Sequence, residues 1–129
     1  MNYQVIANPH ARNERGQRKL RGLLAQMERR GLSNKVETCD SLDHARALSR
    51  AANLSGADVI VAAGGDGTIN RVLDGFFDEH GRRISPARLG VLHVGTSPDF
   101  CRSHGVPTEV GAAVEALAVG ASRPVRVGR

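Results

Sequence analysis

The sequence predicts a three-layer α/β domain, a doubly wound and mostly parallel sheet with helices on both faces. Two observations predict it. Short β-branched apolar runs alternate strictly with longer segments whose apolar residues recur at helical spacing. Such alternation implies right-handed crossovers and a sheet covered on both sides. A third observation locates the interest. The distinctive turns, at Asn8-Pro9, Thr38, Gly65 and Gly95-Thr96, all follow strands. In open parallel sheets ligands bind outside the carboxyl ends of the strands, so four separate segments are expected to converge on one crevice.

Each element has its own reason. Tyr3–Ala7 is a buried strand, ended by Asn8-Pro9, and His10–Gly16 is a polar loop. From Gln17 to Arg30, Leu20, Leu23, Leu24 and Met27 form one helical stripe, and Gly31 is placed to end it. Lys35–Cys39 is the second strand. Asp40 or Ser41 caps a helix running through Ala52, closed by the stretch that ends at Gly56. Asp58–Ala63 is the third strand. A helix follows from Thr68 to Phe77, with Ile69, Val72, Leu73 and Phe76 inward. After a Gly-Arg-Arg loop comes the strand Arg88–Val94, then a short helix Pro98–His104 and a longer one Glu109–Val119. Pro124–Val127 reads as a last strand. No repeat or linker interrupts the 129 residues, so one domain over 1–129 is expected.

Composition excludes several classes. Aromatics are 3% and tryptophan is absent, so the core must be Leu, Val, Ile and Ala. No apolar run approaches the length of a membrane span. The start is too short and uncharged for a signal peptide. Cys39 and Cys101 lack metal spacing and fit reduced thiols in a cytoplasmic protein. Net charge is +5, and Arg12, Arg15, Arg18, Lys19 and Arg21 cluster near the first loop. Such a patch suits a nucleotide, an anionic membrane or plain solvation. No stacking aromatics are interleaved, which argues against nucleic acid. His10, His44, His80, His93 and His104 have no metal spacing, and His93 reads as a core or strand-end histidine.

The richest segment is Asp58-Val-Ile-Val-Ala-Ala-Gly-Gly-Asp-Gly-Thr-Ile-Asn70. A buried strand, a glycine turn and a helix start bring backbone N–H groups and a positive helix end against a phosphate. Gly64, Gly65 and Gly67 permit close approach, Asp66 supplies a carboxylate for phosphate-bound magnesium, and Thr68 is placed to cap the helix or donate its hydroxyl. No Gly-Lys-Ser/Thr follows, so this is not the Walker-type loop. Asn70 stands where a dinucleotide fingerprint needs its third glycine. A plain tight turn needs one glycine, not three around an acid.

This segment resembles the nucleotide motif of the diacylglycerol kinase catalytic domain family, which is related to the sphingosine and NAD kinases. The resemblance covers nearly the whole chain: Asn8-Pro9, Thr38, Gly64 to Asn70, Leu89-Gly90-Val91-Leu92, Gly95-Thr96-x-x-Asp99-Phe100, Gly105-Val106-Pro107 and Arg123 to Gly128. It implies a Rossmann-like nucleotide-binding domain that uses ATP and Mg2+ and transfers the γ-phosphate to a lipid hydroxyl. It implies ATP contacts at Asn8, Thr38, Gly64, Gly65, Asp66, Gly67, Thr68, Ile69, Asn70 and Thr96. Asp66 is the expected magnesium residue, and Asp66 and Asp99 are the candidate catalytic carboxylates. For Asp99 a first-turn aspartate favoured by the helix dipole is the alternative. The basic face would meet an anionic membrane from the cytoplasmic side.

Three departures stand out. The family's Asn-Pro-x-Ser/Ala-Gly is Asn8-Pro9-His10-Ala11-Arg12-Asn13 here, Arg71 replaces a usual Glu, and Pro98 replaces a usual Asn. The β-rich second domain of similar proteins, which supplies much of the lipid site, is expected to be absent, so this chain alone is expected to be inactive. An open sheet edge left by that domain suggests a homodimer. Two rival readings remain: an NAD-kinase-like enzyme, disfavoured by the second motif, and a catalytically incomplete nucleotide-binding module.

Overall fold

Two runs without a charged side chain, Tyr3–Ala7 and Val59–Gly64, form the central strands β1 and β3, and every residue of both is buried. Burial on both faces is what parallel strands under helices require. The computed structural model describes residues 2–8, 14–32, 35–94 and 98–120. The remaining elements are α1 (Glu14–Arg29), β2 (Lys35–Thr38), α2 (Leu42–Leu54), α3 (Asp66–Asp74), β4 (Arg88–His93), α4 (Asp99–His104) and α5 (Val110–Val119). The sheet is parallel throughout, in the order β2-β1-β3-β4. The α/β architecture read from the sequence is therefore the one observed. The expected strand at Pro124–Val127, the Pro9–Asn13 part of the first loop and Thr96 lie outside the described residues.

Strand alternation sorts the core into two layers. Tyr3, Val5, Val59, Val61 and Leu92 face α1 and α5, where Leu23, Met27 and Val114 are fully buried. Ile6, Ile60, Ala62 and Val91 face α2 and α3, against Ala45, Ile69 and Val72. Each fully buried Leu or Ile contributes about 2 kcal/mol by removal from water. On the first side Gly90 lets α5 sit low on β4, since a Cβ there would come 2.6 Å from Leu117 Cδ2. Among the described residues β2 forms one sheet edge, but it has four residues and carries a Lys35–Glu37 ion pair at 2.7 Å. A short, charged edge resists strand-to-strand pairing.

Helix ends follow local chemistry. Ser41 caps α2, its Oγ accepting from His44 N–H at 3.1 Å. Gly31 ends α1 at φ +68, with Leu32 N–H to Met27 O and Gly31 N–H to Glu28 O, the paired bonds of a Schellman stop. α1 begins at Glu14, so the predicted loop is shorter than expected. An acid in the first turn suits the helix dipole, and Gly16 is tolerated inside the helix. α3 stops at Asp74, before the predicted Phe77. Asn53 Nδ2 takes the Gly75 carbonyl and Ile84 N–H takes that of Phe76, so tertiary partners close the last turn. Among the described residues no helix is long and apolar enough to cross a membrane.

α5 is held by Glu109, whose carboxylate accepts from Ala112 N–H at 2.8 Å and Gly111 N–H at 3.0 Å. Those bonds, the Ala112 one first, hold its carboxyl below the usual range. A depressed pKa gives stabilisation present above the ordinary carboxyl value and lost as pH falls through the lowered one. Glu109→Ala should therefore speed Gly111 and Ala112 amide exchange at neutral pH. The difference from wild type should vanish below the lowered pKa. A difference that persists in acid would contradict the capping role.

Candidate functional site

The strand order places a topological switch between β1 and β3. From β1 the chain crosses to β2 on one face and returns past β1 to β3 on the other. Ligand crevices form at such points. Register aligns the carboxyl ends: Ala7 lies level with Thr38 and Ala63, and Gly64 with His93. Asn8, just past β1, spans the switch. Its N–H bonds Ala63 O at 3.0 Å and its Nδ2 donates to Thr68 Oγ1 at 3.0 Å.

The three glycines of the turn have different causes. Gly64 is demanded by packing, since a Cβ would lie 2.9 Å from Thr68 Cβ and Oγ1. Gly65 and Gly67 are not. Neither has positive φ, and the nearest atoms to an added Cβ are ordinary contacts at 3.6 Å, to Val94 O and to Leu42 Cδ2. The fold leaves room for a side chain at both positions, and both are glycine.

Gly65 is the N-cap of α3 and provides no side-chain cap. The first-turn N–H groups of Asp66, Gly67 and Thr68 have no intrahelical partner by geometry, and Gly67 is exposed. Thr68 does not cap the helix, the first of the two roles read for it from sequence. The helix starts two residues earlier, and the Thr68 side chain is 2% exposed beneath the turn, received by Asn8. Ile69 is fully buried in the core, so only its main chain is available to a ligand. Asn70 is exposed on the outer face of α3, and Thr38 is exposed at the end of β2.

Asp66 has a neighbour at each carboxylate oxygen. Its Oδ2 accepts from Phe100 N–H, at the start of α4, at 3.2 Å. This caps from outside a helix whose own N-cap, Pro98, has no side-chain bond. Its Oδ1 lies 3.6 Å from His93 Nε2 and accepts no hydrogen bond among the described residues. Asp99 is exposed, 3.9 Å from Arg102 on its own helix. Arg71, the charge reversal noted in the sequence, pairs with Asp43 on α2 at 3.1 Å, so its charge is partly answered within the protein. Burial pushes the Cys101 thiol up, with the Asp66 carboxylate adding to the effect and Lys19 opposing it. A buried, protonated thiol is not a nucleophile.

Among the described residues no group of three or more His, Cys, Asp or Glu side chains could hold a metal. A single carboxylate with a buried oxygen lacking a hydrogen bond fits magnesium delivered on phosphates, because that ion retains waters and needs few protein ligands.

A model of the diacylglycerol kinase catalytic domain matches residues 2–129. The chain belongs to the diacylglycerol kinase catalytic domain family. It is 33% identical over 127 residues to a diacylglycerol kinase of Bacillus subtilis, covering 98% of this chain and 41% of that one. It is 30% identical over 126 residues to a Staphylococcus aureus diacylglycerol kinase, covering 98% and 39%. It thus spans about two fifths of the length of these curated relatives. The solved structure of a diacylglycerol kinase from Bacillus anthracis strain Sterne superposes with a TM-score of 0.72 at 24% identity, covering 96% of this chain and 42% of that one. That likeness concerns the fold, and it agrees with the sheet described above.

Proposed function

We propose that this chain is the ATP-binding portion of a lipid kinase that transfers the γ-phosphate of ATP, with magnesium, to a lipid hydroxyl. The observation that carries the reading is the unexplained absence of side chains at Gly65 and Gly67. Packing does not require it, whereas a phosphate approaching the open N–H groups of α3 does. Asn8, Thr38, Gly64 to Asn70 and Thr96 form the proposed nucleotide contacts. Gly64, Thr68 and Asn8 support the turn from below, and Ile69 contributes main chain only. Asp66 would hold magnesium, and the metal's part is to neutralise phosphate charge. Phosphoryl transfer needs positioning and charge neutralisation more than covalent help. Asp99, exposed at the start of α4, is proposed to orient the acceptor.

Gly67→Ala separates ligand from fold. The added methyl fits the fold and replaces a helical glycine, so unfolding free energy should hold or rise by up to about 1 kcal/mol. Calorimetric Mg–ATP affinity should fall about 10- to 100-fold, as overpacking of 1–3 kcal/mol predicts. No heat with wild-type protein, or equal affinity for both, would sink the reading.

A second reading is a nucleotide-binding module without transfer activity, favoured by Arg71 and Pro98, which stand where similar proteins usually carry Glu and Asn. Transfer of labelled phosphate from ATP to diacylglycerol in mixed micelles separates the two. Arg15, Arg18 and Arg21 are exposed along α1, and we propose that they face an anionic bilayer from the cytoplasmic side.

A further inference from the structure

We propose that His93 is a positioning residue for the Asp66 carboxylate. The inference rests on the nucleotide reading above and adds to it a residue outside the glycine-rich turn. His93 closes β4 and is 3% exposed. Strand parity sends its side chain to the α2/α3 side of the sheet, with Leu89 and Val91. There its Nε2 meets Asp66 Oδ1 at 3.6 Å, while Phe100 N–H holds Oδ2 at 3.2 Å. The carboxylate thus has the His93 ring beside one oxygen, in contact but without a hydrogen bond, and the Phe100 N–H bonded to the other. Its side chain is only 26% exposed.

That arrangement decides where the charge sits. Asp66 is the first residue of α3, beside the open N–H groups of the turn. A carboxylate free to rotate would swing toward those donors and occupy the place of a phosphate. Bonded by the Phe100 N–H and flanked by the His93 ring, it leaves them open and presents its charge at a fixed angle. Partners that orient a metal-binding group typically change affinity about 10- to 100-fold when removed. A packing role alone makes the opposite demand. Phenylalanine, planar like histidine and apolar though larger, would then serve better than glutamine, whose amide would be buried without need.

The test compares wild type, His93→Phe and His93→Gln in the full chain. The first readout needs no nucleotide: hydrogen-exchange protection of the Phe100 amide, which reports the Asp66 bond. It should drop about tenfold or more in the Phe variant and stay within about twofold of wild type in the Gln variant. If the Phe variant does not fold, His93→Asn, too short to reach Asp66, takes its place with the same expectation. The second readout is calorimetric affinity for ATP with and without magnesium. His93→Phe should weaken Mg–ATP about tenfold while shifting metal-free ATP less, with recovery in His93→Gln. Unchanged Phe100 protection in the Phe variant, or loss in the Gln variant as large as in the Phe variant, would overturn the positioning role. Absence of ATP binding by wild type would overturn the nucleotide reading instead, and the Phe100 amide would still decide the role of His93.

Discussion

Gly75→Val should cost about 3 kcal/mol or more of unfolding free energy, the largest stability loss expected of any single change in the α2–α3 pair. Gly75 follows α3 at φ −69, so glycine is not needed there for backbone reasons. It is needed for space. An added Cβ would lie 2.6 Å from Ser49 Cβ and 2.7 Å from the Arg46 carbonyl oxygen. The second contact is main chain of a neighbouring helix and cannot rotate away. Separating the helices would also break the buried polar set beneath them: Ser49 Oγ to Val72 O, Asn53 Nδ2 to Ser49 O at 2.9 Å, and Ser85 Oγ to Asn53 Oδ1 at 2.7 Å. Each buried group left unsatisfied costs about 1–3 kcal/mol. Urea unfolding measures the loss. Ser49→Gly in the same background should recover only part of it, because the Arg46 carbonyl remains. Full recovery would show that the side chain alone sets the helix spacing.

The same spacing explains what the sequence made legible. Tyr3–Ala7 and the strand read to Ala63 announce themselves because buried parallel strands need uncharged, mostly apolar runs. The stripe Leu20, Leu23, Leu24, Met27 gives α1, and Ser41 marks the start of α2 by its capping chemistry. These features are local in sequence. What failed was decided at long range. α3 ends early because Asn53, Ile84 and the close contact at Gly75 take over its last turn. Thr68, following a glycine turn, suits either a cap or a phosphate donor, yet its side chain packs buried over Gly64. His93 read as an ordinary strand-end residue because its partner lies 27 positions earlier, on a helix. Only the register that aligns Gly64 with His93 brings the two together. An apolar strand carrying one histidine at its carboxyl end was the available signal, and it says nothing about which acid waits there.

Asp66 illustrates why one substitution can report two different things. Asp66→Ala removes a charge from the proposed phosphate site and also removes the acceptor for Phe100 N–H, the external cap of α4. A loss of ATP binding in that variant would not separate chemistry from local unfolding. Asp66→Asn does. An amide oxygen can still accept from Phe100, so α4 should stay docked and the Phe100 amide should keep its slow exchange. The charge is gone, however, and an interaction with a charged group is worth about 1.5–3 kcal/mol. Mg–ATP affinity should therefore fall about 10- to 100-fold, with a smaller change for ATP alone. Asp66→Ala should lose affinity at least as far and lose Phe100 protection as well. If Asp66→Asn binds Mg–ATP like wild type, the carboxylate serves α4 alone, and the magnesium role must pass to other residues.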